Sequence, residues 1–250
     1  MTSSCRLLPL VLLLAGCATV SAKDREQAAS HFQISQTALA GGDPRTALGE
    51  IEQAARLDPR EPEIHHLHGL LLHVYFGELG PAEAAYLRAI ALRPGYSEAK
   101  VNLSAVYLAT GRCELAVPML EEARRDLLYR EPYLAENNLG WCKYQLGDSE
   151  GALRHLRSSI ALNPGFCLGY RNLGEIMENQ GRMDEALRFV EKYAKSCPDV
   201  ADAELRRGLL LLERGRTAEA RTAFLACSEK AKDEDLAGEC VRHAELIPGS

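Results

Sequence analysis

Apolar and small residues fall on the same positions in block after block of this chain, separated by short polar or glycine-containing stretches. In one block they are Leu139, Gly140, Ala152 and Leu156, with Gly147 between the two halves and Asn163-Pro164 at the end. Adding 34 to the number recovers the skeleton as Leu173, Gly174, Gly181, Ala186 and Pro198, and adding 34 again gives Gly208, Gly215 and Ala220. A fixed period of this length predicts a solenoid, in which each unit buries its apolar face only against its neighbours. Gly140 and Ala152 are small residues on two successive segments, as close approach of two helix axes requires. Gly147 supplies the turn, and proline stops the second segment because it lacks an amide donor and clashes with the preceding turn. Each unit is therefore expected to be helix, turn, helix, stop.

This pattern resembles the tetratricopeptide repeat, whose members carry Leu-Gly in the first helix, Ala in the second and Pro at the end. It implies an all-α, right-handed superhelical solenoid of six repeats over residues 28–234, a capping helix over 235–246 and a frayed tail at 247–250. Repeats 4, 5 and 6 (133–166, 167–200, 201–234) are regular. Repeat 1 (28–61) has Ser35 in place of the seam glycine. Repeat 2 (62–96) holds one extra residue between Gly69 and Ala82, which is assigned to the turn Gly77-Glu78-Leu79-Gly80-Pro81. Repeat 3 (97–132) runs long after Ala123, so its second helix is expected to extend through Leu128. Val241, Ala244 and Leu246 are the apolar residues available to seal the last repeat.

Composition fits a folded chain: 46% of the 250 residues are apolar and 26% charged. A net charge of −6 disfavours a phosphate-reading surface, so nucleic acid is not expected as a partner. The chain has no His-Glu-x-x-His, Gly-x-Ser-x-Gly or phosphate-cradling glycine loop, which leaves no catalytic residue, cofactor or small-molecule substrate to assign. His65, His66, His68 and His73 cluster on one predicted helix, but no third ligand accompanies the 65/68 pair and no metal is expected.

The first segment reads as an address. One basic residue, Arg6, precedes an apolar run from Leu7 to Ala15 that is too short to span a bilayer. It ends in Leu14-Ala15-Gly16-Cys17, which resembles the bacterial lipobox. That resemblance implies a signal peptide over 1–16, acylation of Cys17 and a polar spacer through residue 27. Ala18 stands where an inner-membrane retention signal has Asp, so the implied destination is the periplasmic leaflet of the outer membrane. Six cysteines remain: 113, 142, 167, 197, 227 and 240. In an oxidising compartment they are read as disulfides, with Cys227–Cys240 the first expected pair and Cys142–Cys167 the second. The alternative is a set of buried free thiols.

In tetratricopeptide arrays certain first-helix positions line the inner groove. Carried onto this sequence, they give Leu70, His73, Val101, Leu108, Leu134, Asn137, Trp141, Tyr144, Gln145 and Arg171, among others. The lining is mostly apolar, as expected of a partner site, and Trp141 with Tyr144 is the expected anchor. The competing expectation is that Trp141 packs into the core. A lipobox followed by six such repeats resembles the type IV pilus pilotins of the PilF/PilW class, with a layout nearest the myxobacterial members. The resemblance implies a lipid-anchored factor for assembly of the pilus secretin, needed for pilus-driven motility. The alternative is a lipidated adaptor for outer-membrane β-barrel assembly or for a periplasmic protease.

Overall fold

A computed structural model describes residues 20–248. The proposed signal peptide and Cys17 lie outside the described residues. Within them the chain forms thirteen helices and no strand: α1 (Ala22–Ala40), α2 (Pro44–Leu57), α3 (Pro62–Leu70, continuing as a π-helical turn Leu71–Tyr75), α4 (Leu79–Leu92), α5 (Ser97–Ala109), α6 (Cys113–Ala123), α7 (Pro132–Gln145), α8 (Ser149–Leu162), α9 (Cys167–Asn179), α10 (Met183–Ser196), α11 (Ala201–Glu213), α12 (Thr217–Lys230) and α13 (Glu234–Glu245). Odd-numbered helices from α1 to α11 are the first helices of six hairpins, even-numbered ones the second, and α13 is the cap. This is the expected solenoid.

The seam between the helices of each hairpin explains the small residues. A Cβ on Gly140 would sit 2.6 Å from Leu156 Cγ and 3.1 Å from the Ala152 carbonyl oxygen. At Gly208 it would meet Phe224 Cε1 at 2.5 Å, and at Gly174 it would meet Val190 Cγ2 at 2.9 Å. Where the seam residue is serine, the hydroxyl is hydrogen-bonded, across the interface at Ser35 and mainly to its own helix, at the Lys100 carbonyl, for Ser104. Buried Ser35 donates to the Ala47 carbonyl at 2.7 Å. Such a bond offsets the cost of burying the hydroxyl.

All six hairpin turns use a left-handed glycine, Gly42, Gly77, Gly111, Gly147, Gly181 and Gly215, with φ between 70° and 84°. A side chain is strained there, so glycine is the default. In five of the turns an amide reaches back five residues to close the first helix, as Asp148 N–H does to the Lys143 carbonyl at 2.8 Å. In repeat 2 the Glu78 amide instead donates to Leu72, six residues back, at 2.9 Å. The extra residue is therefore absorbed by the π-turn at 71–75 and not by the hairpin turn. The spacing from Gly77 to Ala82 equals that from Gly147 to Ala152, so the sequence already held this answer.

Three further boundaries differ from expectation. The first helix starts at Ala22, within the stretch read as spacer, because Ser21 caps it by accepting from the Asp24 amide at 3.0 Å. The second helix of repeat 3 ends at Ala123 instead of running through Leu128. Asp126 accepts from the Ser97 hydroxyl at 2.6 Å and from the Leu128 amide at 2.9 Å, and this local turn competes with the helix. At the cap, Cys240, Ala244 and Ile247 are buried whereas Val241 and Leu246 face outward. Ile247, assigned to a frayed tail, thus packs into the core.

Three disulfides close: Cys113–Cys142, Cys167–Cys197 and Cys227–Cys240. The pair Cys142–Cys167 does not form. Cys142 lies near the C-terminal end of α7, beside the hairpin turns, while Cys167 opens α9 at the opposite edge of the solenoid. A helix of about 14 residues spans roughly 20 Å, which separates the two edges beyond disulfide reach. Cys113, the first residue of α6, lies at the turn edge with Cys142. Cys167 and Cys197, at the two open ends of one hairpin, meet at the other.

Candidate functional site: a groove on the first helices

The first helices α5, α7 and α9 line a hollow of about 400 Å³. Ala105 and Leu108 come from α5, Asn137, Asn138 and Trp141 from α7, and Leu168, Arg171, Asn172 and Glu175 from α9. Four expected groove residues, Leu108, Asn137, Trp141 and Arg171, thus converge on one surface. Trp141 is half-buried: it packs on the core and also borders the hollow. Its ring lies 5.6 Å from that of Tyr144 at 44°, a tilted aromatic pair. Gln145 is exposed at the end of α7.

The remaining predicted residues separate from this surface. Val101 is a correction: it is packed in the core and does not border the hollow, whereas the equally buried Asn137 does. Leu70 and Leu134 are half-buried against core residues. His73 is half-buried with its ring edge-on to buried Tyr86, at 6.3 Å. The extra residue in α3 rotates everything after Leu70, so a register counted along a regular helix fails there.

Sequence reasoning missed Asn138, Leu168 and Asn172. A signal was present: Asn102, Asn138 and Asn172 each stand immediately before the seam leucine of three successive repeats. Asn172 Nδ2 donates to Asn137 Oδ1 at 2.9 Å, and Asn137 Nδ2 donates to Asn138 Oδ1 at 3.1 Å. Asn137 and Asn172 are buried in this row and Asn138 is half-buried, so Asn138 is the amide with most access to a backbone lying along the hollow. At the far end Arg171 Nε and Arg206 Nε both approach Asp202 Oδ2 at 3.2 Å, and Arg206 lies 3.7 Å from Glu175. Charges there are mutually compensated, so the hollow carries no strong field of either sign.

Earlier along the stack, His66 shows how burial sets ionisation. Asn102 Nδ2 donates to His66 Nε2 at 2.9 Å, which leaves the Nδ1 proton to face the Tyr96 hydroxyl at 3.1 Å. Desolvation pushes the imidazole pKa down from 6.5 to about 4. The folded pKa lies below the unfolded one, so the stabilisation from neutral His66 is complete above pH 6.5 and is lost as pH falls toward 4. Glu61, pushed up to about 7 by its contact with Glu63, acts in the opposite sense. The measurement is therefore the stability difference between wild type and His66→Gln. That difference is expected to shrink between pH 7 and 5, with the His66 ring resonances moving only near pH 4. A ring that titrates at the ordinary histidine value contradicts this account.

Among the described residues no group of three His, Cys, Asp or Glu side chains is placed to hold a metal ion, and no helix is long and apolar enough to cross a membrane.

The tetratricopeptide repeat family model matches residues 32–97, 102–165, 137–201 and 188–233. The chain belongs to the tetratricopeptide repeat family. Cellulose synthase operon protein C of Xanthomonas axonopodis pv. citri (strain 306) is 28% identical over 190 residues, 74% of this chain. The match spans only 12% of that longer protein. Among solved structures, PilW, described as a widely conserved type IV pilus biogenesis factor, is similar with a TM-score of 0.75 at 20% identity, over 86% of this chain and 98% of PilW. PilF of Pseudomonas aeruginosa gives 0.68 at 19% identity, over 88% of this chain and 99% of PilF. The Cut9–Hcn1 hetero-tetramer of the APC/C gives 0.74 at 18% identity, over 88% of this chain but 43% of that one. At these identities the likeness establishes the fold.

Proposed function

We propose that this protein is an outer-membrane lipoprotein of the pilotin class, which binds secretin subunits and promotes assembly and localisation of the type IV pilus secretin. It is a binding protein and not an enzyme. The observation that carries the proposal is the end-to-end correspondence of the helical stack with PilW and PilF, of which this chain covers 98% and 99%. The longer Cut9 assembly is matched only over a part. Leu14-Ala15-Gly16-Cys17 adds the address, and three closed disulfides suit an oxidising compartment such as the periplasm.

In this reading the acylated Cys17 keeps the solenoid at the inner leaflet of the outer membrane. The hollow formed by Leu108, Asn137, Trp141 and Arg171 holds an apolar, membrane-destined segment of a secretin monomer until the subunits close into a ring. Truncating an aromatic anchor of an interface to alanine costs about 2 kcal/mol or more. Replacing Trp141 and Tyr144 by alanine is therefore expected to deplete secretin multimers and pilus-dependent motility while the abundance of this protein stays at the wild-type level. Secretin multimers at normal level in that double variant would count against the groove, and a photocrosslinker at position 141 identifies the protein held there.

A further inference from the structure

Every connection from the second helix of one repeat to the first helix of the next lies along one edge of the solenoid. The amino-terminal end of α1 lies on that same edge, since α1 is itself a first helix. The chain enters there, at Ser21, four residues after Cys17. Four extended residues reach no more than about 14 Å. An acyl group on Cys17 would therefore hold this edge, and not the hairpin-turn edge, toward the bilayer.

One loop on the edge departs from the others. Between α6 and α7, residues 124–131 place Leu127 and Leu128 outward at 98% and 88% exposure, the first and second most exposed of the large apolar residues among those described. They are held there by structure. Asp126 clamps the loop base through Ser97 and the Leu128 amide, and the next residue, Tyr129, is buried in the core. Exposed Arg125 and Arg130 flank the pair, with Arg125 also 3.0 Å from Glu121. The neighbouring rings of Tyr133 and Phe166 pack at 5.0 Å on the same edge, and exposed Leu162 ends α8 four residues before Phe166. Apolar tips flanked by cationic side chains, with aromatic rings just behind, have the chemistry of a lipid headgroup boundary. Glu131, the acidic residue of the loop nearest the rings, accepts from the Tyr133 hydroxyl at 2.8 Å, a bond that does not cancel its charge; Arg124, Arg125 and Arg130 outnumber Asp126 and Glu131 in the loop.

We infer that the 124–131 loop is a second membrane contact, in which Leu127 and Leu128 enter an anionic phospholipid surface while Arg125 and Arg130 meet its phosphates. This rests on the lipid-anchored reading above. With the chain already tethered, two leucines suffice, because the loop meets the bilayer at high effective concentration. The contact would fix the tilt of the solenoid and present its groove at a set height above the leaflet.

The test tethers the chain chemically, so that it does not depend on acylation in the cell. The chain from Cys17 onward, which carries every described helix with its three disulfides closed, is coupled through the Cys17 thiol to a maleimide lipid. The vesicles contain phosphatidylethanolamine and phosphatidylglycerol, with or without brominated acyl chains. Two single-tryptophan additions are compared with the parent: L127W, and Q180W on the hairpin-turn edge. Insertion to the roughly 5–10 Å usual for interfacial side chains brings the indole within bromine contact and predicts roughly twofold loss of the added emission for L127W. No loss is expected for Q180W. An unquenched L127W overturns the inference, and equal quenching of both overturns it too, since the solenoid would then lie flat. The mass of the chain extracted from cell membranes is measured separately; an unacylated Cys17 would defeat the lipoprotein reading without altering what the tethered loop reports.

Discussion

Reduction of the three disulfides is expected to lower the unfolding free energy of the carboxy-terminal half by roughly 3 kcal/mol per bridge, the chain-entropy magnitude for loops of this size. The sequence separations are 29, 30 and 13 residues. The summed loss approaches the whole stability of an ordinary domain, about 5–15 kcal/mol. Because a solenoid's units contact only their neighbours, the loss should stay local. All six bonded cysteines lie between Cys113 and Cys240, so α1 to α4 contain none. Hydrogen exchange on reduced protein should show α7 to α13 opening while α1 to α4 keep their protection. Uniform loss across the chain would mean that the stack unfolds as one unit, and unchanged exchange would mean that the bridges contribute little.

The second large effect is expected at Phe224. Its side chain is fully buried, fills the space over Gly208 and stacks on His243 of the cap at 4.9 Å with the rings 19° apart. Phe224→Ala is expected to cost about 3–5 kcal/mol, the range for deleting a buried aromatic ring and leaving a cavity. Gly208→Ala alone should destabilise by about 1–3 kcal/mol through overpacking, since its Cβ would lie 2.5 Å from Phe224 Cε1. Once the ring is gone, the same methyl group enters the cavity. The double variant should therefore be more stable than the sum of the two losses predicts, as measured by urea unfolding. Strict additivity would show that the ring and the glycine do not share the seam.

Phe224 also shows why the end of the stack matters to the whole. A terminal repeat has one face without a neighbour, and α13 covers it with Cys240, Ala244 and Ile247. The Cys227–Cys240 bond and the Phe224–His243 stack join that cover to α12. Loss of either should fray the carboxy-terminal end before it disturbs the hollow over α5, α7 and α9.

Much of the architecture was legible because it is written as a repeat. The seam glycines, the turn glycines and the terminal prolines each answer a local steric demand, a close helix approach, a positive φ or a helix stop. Such demands recur at the same position in every unit. The groove was legible in part. Trp141, Asn137, Leu108 and Arg171 follow from counting along regular first helices, and the count failed at His73 once a π-turn displaced the register. Val101 could not be told from its equivalents Asn137 and Arg171, because all three occupy the same repeat position; Val101 and Asn137 are buried there and Arg171 is half-buried. Whether that position is open depends on how far neighbouring first helices close over it.

By itself the sequence determined the fold class and the number and order of the hairpins, since these follow from the repeat, and it offered Cys227–Cys240 as a first pairing without excluding free thiols. Only the tertiary structure decided that Cys142 joins Cys113 and Cys167 joins Cys197, because the edge on which a cysteine lies depends on the direction of its helix. It also decided where the extra residue of repeat 2 is stored, that Asp126 cuts the second helix of repeat 3 short, and that Leu127 and Leu128 stand clear of the core. A one-residue insertion or one competing side-chain hydrogen bond differs from its alternatives by about 1 kcal/mol. At that scale the packing of neighbouring helices, and not local preference, selects the outcome.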